Sequence, residues 1–268
     1  MCWDISLHSD IEIVKRAFPT LRDKRKQLDM NMYYYENVQA ILFPNYPIIY
    51  RDKESGDLAL TEMEWGVLPG YIKDPKQQVD RRRNMVNIRS ERVLEDHKSY
   101  WYRLRNQRCL IPVSGTYEHR KIKGWSKKVP YYIAEKDRDM FYIPGLYQWH
   151  ETVDEDGVVE RVGSFGLMTR AANAVMKNIH NDGSNKHRMP LFLPEQLEHE
   201  WLDDIAESDM VSVFAFEIST DELEYFPVYT LRGYPERPDG KHRYEPFVWD
   251  GLPPLGNDDP KSVQGELF

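Results

Sequence analysis

Residues 131–169, YYIAEKDRDMFYIPGLYQWHETVDEDGVVERVGSFGLMT, decide the fold. Residues 131–134, 140–149 and 158–169 are aromatic or β-branched runs, and polar turns at 137–139 and 154–157 separate them, which is the pattern of an antiparallel meander. Outward on the N-terminal side, from Val38 on, residues 40–43, 48–50, 58–60 and 62–67 repeat the short strand-and-turn style. On the other side residues 211–218 predict a further apolar strand. Residues 170–179, with Ala171, Ala172, Ala174, Val175 and Met176, predict a helix, as do residues 194–204, which open on Pro194 and space Leu197, Trp201 and Leu202 helically. Residues 9–38, charged with a sparse apolar set, predict one or two short surface helices broken at Pro19. No linker or repeat intervenes, so residues 1–250 predict one α+β domain with a curled, mainly antiparallel, barrel-like sheet flanked by helices. Residues 251–268 hold three prolines and little apolar pattern, and predict a disordered tail.

The chain has 268 residues, long enough for a sizeable core without metal or disulfide staples. Its net charge of −8 argues against a nucleic-acid partner until its distribution is read. Residues 73–128 hold 16 basic and 6 acidic side chains, a local +10, so the rest of the chain carries −18. Two cysteines, Cys2 and Cys109, do not make a disulfide framework, and neither clusters with histidines as a structural zinc site would. With no long apolar run and no basic or apolar leader, the chain reads as a cytoplasmic, nucleoid-associated monomer, without membrane association, metal or organic cofactor.

Cys2 follows the initiator Met1. If Met1 is removed, an α-amine titrating at about 7.7–8.0 and a thiol at about 8.5 share one carbon, so a fraction of each is nucleophilic near neutral pH. Such a 1,2-aminothiol condenses with an aldehyde to an imine and then closes a five-membered thiazolidine. Taken alone, Cys2 also fits a tolerated second residue.

Four further segments stand in order: Glu64-Trp65-Gly66-Val67-Leu68-Pro69, Asn87-Ile88-Arg89-Ser90-Glu91, Arg108-Cys109-Leu110-Ile111-Pro112-Val113-Ser114-Gly115-Thr116-Tyr117-Glu118-His119, and Ile179-His180-Asn181 with His187-Arg188-Met189-Pro190. With Met1-Cys2 before them, from Cys2 to about residue 220, the chain resembles the SRAP (SOS-response-associated peptidase) family, whose members shield abasic sites in single-stranded DNA by covalent attachment. The resemblance makes Cys2 the nucleophile, Asn87 the residue that positions it, and Glu118 the carboxylate that holds the amine and moves protons. A histidine protonates the sugar ring oxygen or later reverses the link. His180 fits the family's Ile-His pair, whereas the literal slot before Arg-Met-Pro holds Lys186 after an apparent insertion at 182–186, so His187 stays open as the alternative. Arg89 and Arg188 match phosphate-gripping arginines, and Trp65 with Leu68 and Pro69 resembles a segment against which bases pack, with burial of Trp65 in the core as the alternative. Arg81, Arg82, Arg83, Arg103, Arg105 and Arg108, interleaved with Tyr100, Trp101 and Tyr102, suit a single-strand groove, or a solvated face over core aromatics.

The implied activity is sensing and shielding of abasic single-stranded DNA through a Cys2 thiazolidine crosslink. The rival readings are a cysteine-type (auto)peptidase, with Cys2, His180 and Glu118 or Asn87 as its set, and a non-enzymatic single-strand binding module. Two departures from the family pattern stand out: Trp3-Asp4 replaces its Gly-Arg, and His119 stands where many members have Trp. At the C-terminus Gln264, Leu267 and Phe268 spell Gln-x-x-Leu-Phe, which resembles the short peptides by which bacterial replication and repair proteins dock on the sliding clamp, the alternative being an apolar pair that packs back on the domain.

Overall fold

The structure is a computed structural model that describes residues 2–25, 34–68, 72, 75–153, 157, 159–233 and 236–259. In chain order its strands are β1 (Asp4–Leu7), β2 (Arg22–Asp23), β3 (Tyr35–Gln39), β4 (Asn45–Arg51), β5 (Leu58–Trp65), β6 (Asn87–Arg89), β7 (Arg108–Val113), β8 (Gly115–Arg120), β9 (Val129–Glu135), β10 (Phe141–Val153), β11 (Val159–Ala171), β12 (Arg188–Pro190) and β13 (Leu223–Pro227). The helices are α1 (Glu12–Ala17), α2 (Pro75–Arg83), α3 (Glu91–Leu94), α4 (Tyr100–Leu104), α5 (Ala174–Ile179), α6 (Glu195–Trp201) and α7 (Glu207–Ala215).

Strands β11, β10, β7, β4 and β5 follow one another in the larger sheet, and β5 pairs back to β11 in parallel through Ser164–Glu64 and Phe165–Trp65, closing a five-stranded barrel. Closure removes the exposed edges that an open sheet of these strands would present. The second sheet, ordered β13-β9-β8-β1-β3, packs beside it. Ile48, Ile49, Leu60, Leu110, Ile111, Phe165 and Leu167 are fully buried in one continuous core. The α+β, barrel-containing domain expected from the sequence is what forms.

The meander is divided. β10 and β11 form the expected hairpin, in register from Gly145–Leu167 to Val153–Val159. β9 instead pairs with β8 and β13. The chain crosses between sheets at Ser114, which separates β7 from β8, and Tyr132 of β9 donates its hydroxyl to the Ser114 carbonyl at 2.7 Å. Every residue of β9 is buried, so it needs cover on both faces, which an outer position in a meander would not give.

Residues 211–218 are not a strand: 211–215 complete α7. Met210 and Val213 are its buried positions, three apart on one face, and Phe214 packs its ring 5.8 Å from that of Trp201. Glu207 and Asp209 place negative charge in the first turn, where the helix dipole favours it. Of residues 9–38, only α1 is helical among the described ones; β2 and β3 follow, and 26–33 lie outside the described residues.

The expected disordered tail is corrected in part. Residues 251–259 are laid over the end of β8, because Arg120 has no exposed surface and takes its hydrogen-bond acceptors from that segment. Gln264, Leu267 and Phe268 lie outside the described residues. Among the described residues no helix is long and apolar enough to cross a membrane.

Candidate active site at the N-terminus

β1 lies between β3 and β8, with Asp4 opposite Gln39 on one side and Tyr117 on the other. That register brings residue 2 to the end of β8 that carries Glu118. The Ser-Gly-x-Tyr-Glu segment needs its glycine: a Cβ on Gly115 would sit 2.1 Å from the Tyr132 ring. Cys2 is fully buried, and Asn87 Nδ2 donates to its carbonyl oxygen at 2.7 Å. Asn87 is itself fixed by β6, which runs parallel to β11 with Asn87 opposite Leu167. The Cys2 thiol donates to the Asp4 carbonyl at 3.5 Å. Burial, and after it the charge of Glu118, push this thiol well above its ordinary value. With Met1 attached the thiol is therefore held protonated, in contrast to the partly ionised thiol expected from ordinary values once Met1 is removed.

Glu118 is 4% exposed, and burial raises its carboxyl to about 7 against the opposing charges of the chain's amino terminus and Lys128. His180 caps α5 and turns toward Glu118, with Nε2 3.9 Å from Oε2. Its Nδ1 lies 2.9 Å from the Arg188 carbonyl oxygen; a proton held there makes Nε2 the acceptor facing Glu118. Burial first, then the positive charge of the amino terminus, lower the imidazole to about 4. Between about pH 4 and 7 the pair thus consists of a protonated carboxyl and a neutral imidazole. His187, by contrast, is exposed, has φ of 61°, and serves the loop through its backbone carbonyl, which accepts from Ala172 N at 3.0 Å. The geometry brings His180, and not His187, to Glu118.

The pair opens on a cleft of about 570 Å³. Residues 182–185 of the apparent insertion form part of its wall: Lys128 pairs with Asp182 at 2.9 Å, and the exposed Arg89 donates to Asn185 Oδ1 at 2.7 Å. The departures Trp3, Asp4 and His119 also line it. Asp4 is buried and paired with Arg232 at 2.8 Å; burial raises its carboxyl to about 6 against the Arg232 charge. Burial, then Arg232 and Lys128, lower His119 to about 4. Arg232 and Lys128 were not found from sequence, since each meets the site only through the fold.

Several expected DNA contacts are committed elsewhere. Trp65 is fully buried, donates Nε1 to the Val86 carbonyl at 2.9 Å and stacks on Phe165 at 6.2 Å, so it is core and not a surface for bases. Trp65→Ala is expected to cost about 3–5 kcal/mol in urea unfolding, the cost of emptying a core aromatic site. Arg82 donates to the Gly66 carbonyl at 2.7 Å, pairs with Glu64 and lies over the Phe43 ring at 4.5 Å. Arg83 is exposed on α2, 3.6 Å from Asp80. Arg188 is 9% exposed and forms a bidentate pair with Glu91 at 2.5 and 2.9 Å, with a further bond to the Thr169 carbonyl. Its fork is taken by the carboxylate that ends its own partner motif. Trp101 is buried, and Arg105 and Arg108 tie α4 and β7 to Glu207 and to the Trp201 and Asp203 carbonyls. Of the expected groove of interleaved arginines and aromatics, Arg82, Arg105 and Arg108 thus satisfy nearby acceptors, whereas Arg81, Arg83 and Arg103 are exposed.

A sequence profile described as SOS response associated peptidase (SRAP) matches residues 1–233. The chain belongs to the SRAP family. SRAP relatives include the abasic site processing protein YoqW of Bacillus subtilis, 26% identical over 194 residues, covering 72% of this chain and 80% of YoqW. The abasic site processing protein HMCES of Rattus norvegicus is 25% identical over 240 residues, covering 76% of this chain and 64% of HMCES. A crystal structure of a protein from Bacteroides thetaiotaomicron superposes with a TM-score of 0.73 at 23% identity, over 92% of this chain and 100% of that one, and shares the SRAP fold. Among the described residues no group of three or more His, Cys, Asp or Glu side chains could hold a metal ion.

Proposed function

We propose that this chain processes abasic sites in single-stranded DNA by forming a thiazolidine crosslink through Cys2. The observation that carries the reading is the Glu118–His180 pair facing at 3.9 Å beside residue 2, whose carbonyl Asn87 fixes. Relatives named for abasic site processing support it.

Hydrolysis of the Met1–Cys2 bond releases the Cys2 amine. His180, neutral above about pH 4, takes the hydroxyl proton of the cyclic sugar while Glu118, protonated below about pH 7, gives its proton to the ring oxygen, and the aldehyde opens. This assigns the imidazole as base, where the sequence reading made it the donor. The neutral amine adds to C1′, the resulting hydroxyl leaves as water with the proton that His180 took up, and an iminium remains. Sγ then adds to the same carbon, its proton passing to ionised Glu118. One aldehyde and one aminothiol give one thiazolidine and one water. The high thiol pKa suits this order, in which the amine attacks first and the sulfur follows, and disfavours a peptidase that starts from a standing thiolate.

Arg89, exposed beside the wall of the cleft, is the phosphate contact in this reading. Binding of an oligonucleotide carrying an unreactive tetrahydrofuran site is expected to lose about 0.7 from its log–log salt slope in Arg89→Ala, the value for one single-strand phosphate. An unchanged slope removes Arg89 from the interface. The function itself is tested by incubating Met1-processed protein with a single-stranded abasic oligonucleotide. A denaturation-resistant adduct is expected, and none with the tetrahydrofuran analogue; equal binding of abasic and intact strands with no adduct would favour a plain single-strand binding module.

A further inference from the structure

Residues 251–259, beyond the stretch matched by the family profile, form a strap anchored on Asp258. Asp258 Oδ1 accepts from Arg120 Nε at 2.6 Å, and Oδ2 accepts from Asn181 Nδ2 at 2.9 Å. Both partners adjoin the reacting pair. Arg120 follows Glu118 by two residues on β8, hence on the same face of the strand. Asn181 follows His180 directly. Its amide also pairs with the Lys121 backbone in both directions: Lys121 N donates to Oδ1 at 2.8 Å, and Nδ2 donates to the Lys121 carbonyl at 2.9 Å. The loop that carries His180 is thus bound to the far end of the strand that carries Glu118, and Asp258 closes the ring. Lys123 N donates to the Asp258 carbonyl at 2.8 Å, which fixes the strap in turn.

Arg120 explains why the strap is placed so firmly. Its guanidinium is fully buried and donates to the Pro253 and Pro254 carbonyls at 2.8 and 2.6 Å as well as to Asp258. A buried guanidinium stripped of its anion is strongly unfavourable, so β8 and the strap hold each other in place.

We propose that Asp258 is a positioning residue: through Arg120 and Asn181 it sets the separation and orientation of Glu118 and His180, which makes the strap part of the reaction site. The proposal rests on the reading of Glu118 and His180 as the groups that move protons. A misplacement of about 1 Å in such a pair costs about 10²-fold in rate, far more than it costs in strand affinity.

The test uses the Met1-processed full chain with Asp258→Asn and, because that change weakens a buried ion pair, Asn181→Ala as a second variant that leaves Arg120 and Asp258 together. Three quantities are read: affinity for a single strand with a tetrahydrofuran site, the single-turnover rate of adduct formation on an abasic strand, and the His180 titration followed by NMR on the protein alone. The expected result is affinity within about twofold of the parent and a rate at least about tenfold lower in both variants. The His180 midpoint is expected to move from about 4 toward the ordinary imidazole value as water reaches the loosened loop. A folded Asn181→Ala protein with unchanged rate and midpoint overturns the proposal, and so does a loss of thermal stability alone. If the parent forms no adduct, the proposed function fails on that result, and the His180 midpoint in the two variants still decides the strap.

Discussion

Cys2→Ser is expected to lose the heat-stable adduct to background while keeping one that borohydride traps. Serine retains the α-amine, so the imine with C1′ still forms, but it lacks the sulfur that closes the ring, and the imine hydrolyses when the protein is denatured. Cys2→Ala should behave in the same way. Parent protein that keeps Met1 should form no heat-stable adduct, since its Cys2 nitrogen remains an amide and cannot close a ring with Sγ. Asn87 fixes the Cys2 carbonyl and not the side chain, so these substitutions leave the backbone of residue 2 where it is. Gel analysis with and without borohydride checks all three cases. A heat-stable adduct in Cys2→Ser would remove the thiol from the reaction.

Glu118→Gln should slow adduct formation by about 10²-fold or more, the usual contribution of a positioned acid or base. The same change should stabilise the protein at high pH. Folding raises the Glu118 carboxyl from 4.5 to about 7, so in that interval the folded chain binds more protons than the unfolded one. The glutamate therefore costs nothing below about pH 4.5, costs progressively more as pH rises, and reaches its full cost above about 7. Glutamine mimics the neutral carboxyl throughout. At pH 8 it should be more stable by about 3 kcal/mol, 2.5 units at 1.36 kcal/mol each, and the difference should close by pH 4.5. Urea unfolding at the two pH values reads it. A substitution that slows the reaction and strengthens the fold marks a group kept in place for chemistry.

Of the barrel, β4, β5, β10 and β11 were legible because their alternation and turns are local, as the β10–β11 hairpin shows, whereas β7 was not among the expected strands. The partner of β9 was not, because pairing with β8 depends on a crossing at Ser114 that no local pattern announces. Residues 211–215 misled because a helix buried along Met210 and Val213 can look like a short apolar run. The motif residues Cys2, Asn87, Glu118 and His180 do come together, and the choice between His180 and His187 was decided by burial and backbone conformation, which sequence does not carry. Arginine identity alone overstated the DNA surface. Arg82, Arg108 and Arg188 are spent on Glu64, on main-chain carbonyls and on Glu91, all acceptors supplied by folding. The partner of Asp4, Arg232, was not legible because it lies toward the other end of the chain.

The acidic balance of the chain is compatible with a single-strand partner in this account, because among the described residues Lys128 and Arg232 are exposed in the cleft wall and Arg89 is exposed beside it. The most direct measurement of the central claim is the intact mass of the adduct formed with an abasic single strand, followed by peptide mapping. The account predicts the mass of the chain without Met1 plus the strand, less one water, with the modification on Cys2. A mass that retains Met1, or a modification mapped to a lysine, would contradict it.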